Sequence, residues 1–483
     1  MPKPISSDHS PLELCGDEFR KHVEIVVSRL MKHLDTLPDQ DAWAPHSNPT
    51  DAVAAREAGP GEPDTINNVI DRFFSERLQP SYNPASGGYM AYVPGGGIPH
   101  AAIADLIAGI INKYVTVWSV APGLANMEAD VVHWLCQLVN FPETAGGYLT
   151  TGGSMANWSA VVTARRTMLG DDFSNATIYT SNQTHHSIQK AAVLAGFPEK
   201  HVRLIASDSN HRIDIAALTN KIAADRDVGL RPFLIAAHAG TTNTGAIDPL
   251  KMLAEICSRQ NLWLHIDAAY GGFFCLTKRG RQALESIELA DSITLDPHKG
   301  LFLPYGTGCL LIRDRQALRN AHLLDANYLP PLQNDTQRVD FCAISPELSR
   351  DFRALRIWLP LKLFGWDTFM AYLDEKLDLC QFAFRAISEM QHIEIISAPQ
   401  LSTFAFRLNP DTDSLSTEQL NQLNERFLKL INHSRRFFLS STTIDGQLVI
   451  RICILCFRTH LNQVQDCVEQ VRDAITPTLE SSL

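Results

Sequence analysis

The first clear signal is a helical period. Phe19, Val23, Val26, Val27, Leu30 and Leu34 recur three or four apart, which places them on one face of a helix within residues 12–37, and Pro38 follows its end. Residues 43–63 are rich in Pro, Gly, Asp and Ala and read as an extended arm. A second amphipathic segment carries Ile66, Val69, Ile70, Phe73 and Phe74. Residues 1–88 thus form an N-terminal helical arm with more apolar face than it can cover. It must pack on the main body or on a second subunit.

From residue 89 the period changes. Short apolar runs end in Gly, Ser, Asp or Thr and alternate with helical segments, as in "GGYLTTGGSMANWSAVVTARR", "NATIYTSNQTHHSIQKAAVLAG", "PFLIAAHAGTTNTGAI", "LWLHIDAAYGG", "ADSITLDPHKG" and "GTGCLLIRD". Continuous apolar strands separated by helices predict an α/β fold with a mostly parallel sheet covered on both faces. A large domain is expected over 89–370. A long amphipathic stretch, "LSRDFRALRIWLPLKLFGWDTFMAYLDEKLDLCQFAFRAI", leads to a smaller α+β domain over 371–483. Ligands of open α/β sheets bind at the carboxyl ends of the strands, where all these polar signatures fall.

Charge and cysteines narrow the class. The 483 residues carry 42 Lys and Arg against 53 Asp and Glu, a net charge of -11. That balance argues against a general nucleic-acid surface and against a polybasic membrane anchor. The N-terminal "MPKPISSDHSPLEL" lacks the apolar core of a secretory signal. The longest apolar run, "HAAIADLIAGII", is broken by Asp105, closed by Asn112 and Lys113, and too short to span a bilayer. The ten cysteines show no framework spacing, so a reducing cytoplasm is expected. Cys453 and Cys456 form a C-x-x-C on a strand-like run, where positions three apart face opposite ways. They read as core thiols.

Four strand ends carry candidate chemistry. In "TTGGSMAN", two glycines and Ser154 lie between a strand and a helix. Free N–H groups there suit a phosphate, and the same residues also make an ordinary turn and N-cap. Asp267 ends an apolar strand, either as a cap or as the partner of a buried cation, and small Ala268 and Ala269 let a flat ring lie close. His185 and His186 end another strand. They are capping or solvated histidines, or one stacks on a ring; the sequence suggests no further ligands for a metal. Lys299 in "DPHKGLF" follows an apolar strand, where desolvation would lower an amine's pKa and suit Schiff-base chemistry. The combination is what pyridoxal 5'-phosphate requires: a lysine to hold it, a carboxylate for its pyridine nitrogen, a stacking histidine and a phosphate cradle.

These motifs, with "YMAYVPGGG", "APGLANMEADVVHWL", "HAGTTNTGAID", "ELSRDFRALRIW" and "LVIRICI", run in order along nearly the whole chain. The chain resembles the group II pyridoxal-phosphate decarboxylases of fold type I, close to the aromatic-L-amino-acid decarboxylases. The resemblance implies an aspartate-aminotransferase-like large domain with a seven-stranded sheet. It also implies a homodimer with interlocked N-terminal arms, and decarboxylation of an L-amino acid, an aromatic one, through a Schiff base at Lys299. It makes Asp267 the pyridine-nitrogen partner, places Ala269 under the ring and stacks His185 on it. Ser154, Met155 and Ala156 align with the phosphate turn, and Thr242 and His298 with further cofactor contacts. Tyr92, Val93, Pro94 and Gly95, with Tyr114 and Trp118, align with a substrate pocket completed by the partner subunit. That pocket is rich in Tyr and Trp and poor in cations.

Two positions depart from the family. Asp296 stands where animal relatives carry asparagine near the phosphate, and a second anion there is unfavourable unless it faces away or is neutralised. The loop residue that protonates the substrate carbon is usually a tyrosine, whereas Phe341 and Cys342 stand near that position. Phenylalanine has no proton to give. In related plant enzymes this exchange accompanies oxidative deamination to an aldehyde, ammonia and hydrogen peroxide, which is the alternative activity. Cys342, His185, water or Tyr328 earlier in the loop are the candidate donors. A catalytically silent binding or scaffold relative is a third reading, and intact Lys299, Asp267 and His185 argue against it.

Overall fold

A computed structural model describes residues 12–43, 59, 61–78, 81–323, 332, 338–410 and 415–480. Its centre is a seven-stranded sheet built from β1 (Gly146–Thr150), β2 (Ala176–Ser181), β3 (Val202–Ile205), β4 (Arg231–His238), β5 (Trp263–Asp267), β6 (Ser292–Leu295) and β7 (Gly308–Ile312), in the spatial order β1-β7-β6-β5-β4-β2-β3. Only β7 runs against the others, pairing antiparallel with β1 and β6. Every residue of β2, β5 and β6 is buried, as expected of strands covered on both faces. Two apolar cores sandwich the sheet. One is centred on residues such as Leu264, Ile266, Ile293 and Phe273, the other on Ile178, Leu234, Ala160 and Ile188.

A second, wholly antiparallel sheet follows, from β8 (Ile393–Ser397), β9 (Thr403–Leu408), β10 (Ser440–Ile444) and β11 (Gln447–Cys453), in the order β10-β11-β9-β8. The helices Thr417–Asn432 and Leu461–Glu480 cover it, and a separate core with Phe404, Phe406, Phe427 and Val471 fills the space between. The expected boundary at residue 370 falls inside one helix, Ala354–Ser388, bent where Gly365 adopts a φ of 69°. An unbroken helical period hides such a joint from the sequence. Both C-x-x-C cysteines are free and fully buried, but β11 ends at Cys453, so strand alternation does not describe Cys456.

The N-terminal helices Gly16–Thr36 and Ile66–Arg72 form as their periods predict, tied by Arg29 to Asp71 at 2.7 Å. Neither buries a side chain within the chain, and Val27, Leu30, Leu34, Val69 and Phe73 remain exposed. The helix Pro99–Ile111 likewise leaves Ile103, Leu106, Ile107 and Ile110 open. Most of the expected extended arm lies outside the described residues, as does Tyr328. No helix among the described residues is long and apolar enough to cross a membrane.

One buried ion pair anchors the edge of the main sheet. Glu128, on the helix Pro122–Leu138, accepts from the Leu149 N–H at 3.1 Å and pairs with Arg350 at 2.8 Å, both side chains being almost fully buried. Without Glu128, Arg350 keeps Glu347 at 3.3 Å and the Leu149 carbonyl, so its charge is only partly compensated. Glu128→Ala should therefore cost up to about 3 kcal/mol in unfolding free energy, read from urea denaturation.

Candidate active site

The strand ends converge as expected. A cavity of about 280 Å3 opens at the carboxyl edge of the main sheet, walled by residues that include Gly152, Ser154, His185, Thr242, Asp267 and Lys299. Thr151 and Gly152 join β1 to the helix Gly153–Met168. Gly152 has a φ of 154° and a ψ of 172°, a backbone region open almost only to glycine. Its carbonyl accepts from the Met155 and Ala156 N–H groups, which leaves the amides at the helix tip, Gly153 and Ser154, to face an anion. These two amides lie one step earlier in the chain than the turn Ser154, Met155 and Ala156 that the resemblance implies. Ser154 and Met155 line the cavity, whereas Ala156 is buried in the core behind it. Gly152→Ala should weaken pyridoxal-phosphate binding roughly tenfold or more by straining this turn, as measured by cofactor titration of the apo-enzyme.

Asp267 ends β5 and is held from two sides. Asn157 Nδ2 donates to its Oδ2 at 2.8 Å and the Ala269 N–H to its Oδ1 at 3.1 Å. Behind Asn157 runs a chain of donors: Trp263 Nε1 to Ser292 Oγ at 2.8 Å, Ser292 Oγ to His265 Nδ1 at 2.9 Å, and His265 Nε2 to Asn157 Oδ1 at 3.0 Å. Burial lowers the His265 pKa to about 4, so the ring is neutral and this direction is fixed. Burial would raise the pKa of Asp267, but His238, Lys299 and the Asn157 hydrogen bond outweigh it and hold the carboxyl below its usual value. Asn157 also donates to Ser187 Oγ at 2.9 Å, and Ser187 lies 2.7 Å from His185 Nδ1. One amide therefore steadies both the acid and the histidine. His185 caps the helix His186–Leu194 and borders the cavity; desolvation lowers its pKa despite its open outer edge. His186 is exposed and bonds to Gln189 instead.

Lys299 sits in the short helix Pro297–Gly300 that follows β6. Its Nζ lies 3.0 Å from Asp296 Oδ2, and His298 Nε2 lies 3.7 Å from the same oxygen. Asp296 does not face away: it is 2% exposed and borders the cavity against Gly153, paired with the Lys299 amine. The consequence reverses the expectation for Lys299. Burial does push its pKa down, but Asp296 and Asp267 push it up by more, so the ammonium form is favoured. His298 Nδ1 donates to the Thr307 carbonyl at 2.8 Å, which turns Nε2 toward the cavity. Thr242 and Ala269 line the walls as expected.

The other predicted residues assemble elsewhere. Of the four residues 92–95, only Val93 borders this cavity; Tyr92 is exposed, and Gly95 abuts the His298 carbonyl so closely that a Cβ would overlap it. Tyr114 donates to the Leu348 carbonyl, and Trp118 accepts no place at Lys299 but bonds to Asn126 and, through its N–H, to Asp340. Cys342 donates its N–H to the Thr116 carbonyl. Phe341 is fully buried with the Arg350 guanidinium 4.7 Å above its ring. Phe341 and Cys342 therefore pack with the 114–118 segment, not with Lys299 of the same chain. Burial, with Asp340 nearby, raises the Cys342 thiol pKa, so the thiol stays protonated. The apolar character that made Phe341 conspicuous in a loop serves packing here.

Among the cavity-lining residues that sequence reasoning missed are Asn157, Ser187 and His238. Asn157 and His238 lay inside motifs already singled out, but nothing local shows that they reach Asp267 or its neighbours.

The model of the pyridoxal-dependent decarboxylase conserved domain matches residues 57–409. The chain belongs to this family. It is 32% identical to an aromatic-L-amino-acid decarboxylase of Bacillus atrophaeus over 95% of this chain and 96% of the relative. It is 28% identical to a phenylacetaldehyde synthase of Arabidopsis thaliana over 82% of this chain and 84% of the relative. Among solved structures, the Oryza sativa TDC with PLP and tryptamine superposes with a TM-score of 0.91 at 23% identity, covering 98% of this chain and 100% of that one. The protein is a pyridoxal-phosphate-dependent carboxy-lyase of fold type I. Its cavity fits the cofactor: helix-tip amides suit the phosphate, an ionised carboxylate suits a pyridinium, and an amine stands between them.

Proposed function

We propose that this carboxy-lyase converts an aromatic L-amino acid to its amine and CO2, acting as a homodimer in the cytoplasm. The observation that carries the substrate class is the composition of the cavity wall. Among the described residues it includes no arginine, and its only lysine is committed to the cofactor. A substrate with a second carboxylate would find no fixed cationic partner there. The aromatic-L-amino-acid decarboxylase relative supports the same reading.

When bound, pyridoxal 5'-phosphate supplies an electron sink for the pair left as CO2 departs. In this proposal Lys299 holds the cofactor and yields it to the substrate amine. Asp267 faces the pyridine nitrogen, His185 stacks on the ring, and Ser154, Met155, Thr242, Ala269 and His298 complete its seat. Once free, the Lys299 amine would be retained by Asp296, which favours its protonated form, and would be one proton source at the cavity wall. The uncovered faces of the N-terminal helices and of Pro99–Ile111 support a dimer. In it, the exposed Tyr92 and Tyr114 would reach the partner's cavity, while Phe341 and Cys342, buried in their own chain, would support the 114–118 segment from behind. The N-terminal arm of 1–88, the large domain of 89–370 and the small domain of 371–483 are the division we propose, hinged at the bend in Ala354–Ser388.

The relative that is a phenylacetaldehyde synthase favours one second reading, decarboxylation with oxygen-dependent deamination. A panel of amino acids with CO2, amine, aldehyde, ammonia and peroxide quantified separates the two. Amine equal to CO2 is the expected result. Aldehyde and peroxide in step with CO2 would establish the second activity, and release of CO2 only from acidic amino acids would overturn the aromatic assignment.

A further inference from the structure

His238 ends β4 and is the register partner of Asp267 on β5. It is 1% exposed, borders the cavity, and has no part in the chemistry above. Both its ring nitrogens are engaged. Nδ1 lies 3.2 Å from Asp248 Oδ2, and Nε2 lies 2.8 Å from Thr184 Oγ1. Asp248 is itself immobilised, because its carboxylate also accepts the backbone N–H of His238 at 2.8 Å and of Ile213 at 2.7 Å. Thr184 immediately precedes His185, on the turn that leaves β2. A buried strut thus runs from Asp248 through His238 to the turn that carries His185.

We propose that His238 is a positioning residue that locks the His185-bearing turn to the strand beside Asp267, so that the histidine face and the carboxylate keep a fixed separation across the cofactor ring. Two links hold His185 from opposite sides. Ser187, fixed by Asn157, holds its Nδ1, and the strut holds the residue before it. Without the second link, Thr184 keeps its backbone N–H bond to Ser181 at 3.0 Å and a long hydroxyl contact to the His185 carbonyl at 3.5 Å, neither of which ties the turn to β4. The imidazole suits the task in its charged form, since it then donates from both nitrogens. Burial opposes that charge, but the bond to Asp248 outweighs it and raises the pKa of His238. The proposal rests on the assignment of His185 to the ring face and on no choice of substrate.

The test compares Thr184→Val, His238→Leu, His238→Gln and His185→Ala. The readouts are the dissociation constant of pyridoxal 5'-phosphate from the apo-enzyme, the visible circular dichroism of the bound cofactor, and the thermal midpoint. Thr184→Val and His238→Leu should weaken cofactor binding roughly five- to tenfold, the equivalent of losing one buried hydrogen bond of ~1 kcal/mol. Both should reduce the dichroism toward that of His185→Ala. His238→Gln, whose amide can still reach Thr184, should recover most of both, and the thermal midpoints should stay within a few degrees of wild type. Wild-type binding and dichroism in Thr184→Val overturns the strut, as does failure of His238→Gln to recover them or a loss that merely follows the thermal midpoint. A wild-type spectrum in His185→Ala overturns the ring-face assignment and the strut with it. A wild-type spectrum confined to Thr184→Val overturns the strut alone.

Discussion

Lys299→Ala will abolish decarboxylation and the visible absorbance of the covalently held cofactor together. No other amine on the cavity wall can replace it, since the remaining basic side chains there are histidines. A positioned proton-transfer group alone contributes about 10^2–10^4-fold, and the variant loses covalent attachment as well, so kcat should fall by about 10^4-fold or more. Cofactor should still bind, more weakly, through the helix-tip amides and Asp267, and should leave on dialysis. Reduction with borohydride before denaturation checks the attachment: the wild-type chain should retain cofactor at Lys299 and the variant should retain none. Residual CO2 release within tenfold of wild type would refute the assignment.

Asp267→Asn will lower kcat by about 10^2–10^3-fold, the usual cost of removing one preorganised electrostatic partner in a buried site. The substitution preserves shape, and Asn157 can turn its amide to meet the new group, so the fold should persist. What disappears is the negative charge that keeps a pyridine nitrogen protonated. A cofactor analogue whose ring nitrogen carries a permanent positive charge should restore part of the rate, and absence of any rescue would count against the role. The same carboxylate sets an acid limit. Its folded pKa lies below the usual carboxylate value, so its contribution to stability is complete above the unfolded pKa. That contribution is lost as pH falls through the lower folded value.

Much of the site was readable because it is local. A strand buried on both faces must be a continuous apolar run, and the residue that ends it must be polar where the backbone leaves the core. That rule flagged Asp267, His185, His298 and Lys299 as candidates, glycines at a strand–helix turn flagged a phosphate cradle, and their combination with the family resemblance supplied the roles proposed for them. The N-terminal stripes were legible for the same reason, since a helix shows its apolar face in its period. Readings that depended on what a residue meets across space were less secure. Phe341 and Cys342 sit in a stretch whose sequence suggests a loop near the cofactor, yet packing under Arg350 places them elsewhere in the chain. The bend at Gly365 was invisible, because the hydrophobic period of its helix continues through it.

The sequence by itself determined the fold class, the order of strands and helices and the cofactor, and it singled out Lys299 and Asp267 as the residues proposed to hold it. These follow from periodicity and from residue types at strand ends, which are properties of neighbours in the chain. Only the tertiary structure decided the charge states and supports of those groups. Asn157 reaches Asp267 from 110 positions away, and Asp248 and Thr184 grip His238 from two different segments. Asp296 keeps Lys299 charged against the pull of burial. Hydrogen bonds and Coulomb forces act over a few ångströms in space, and the chain separation of the partners leaves no trace of that distance in the sequence.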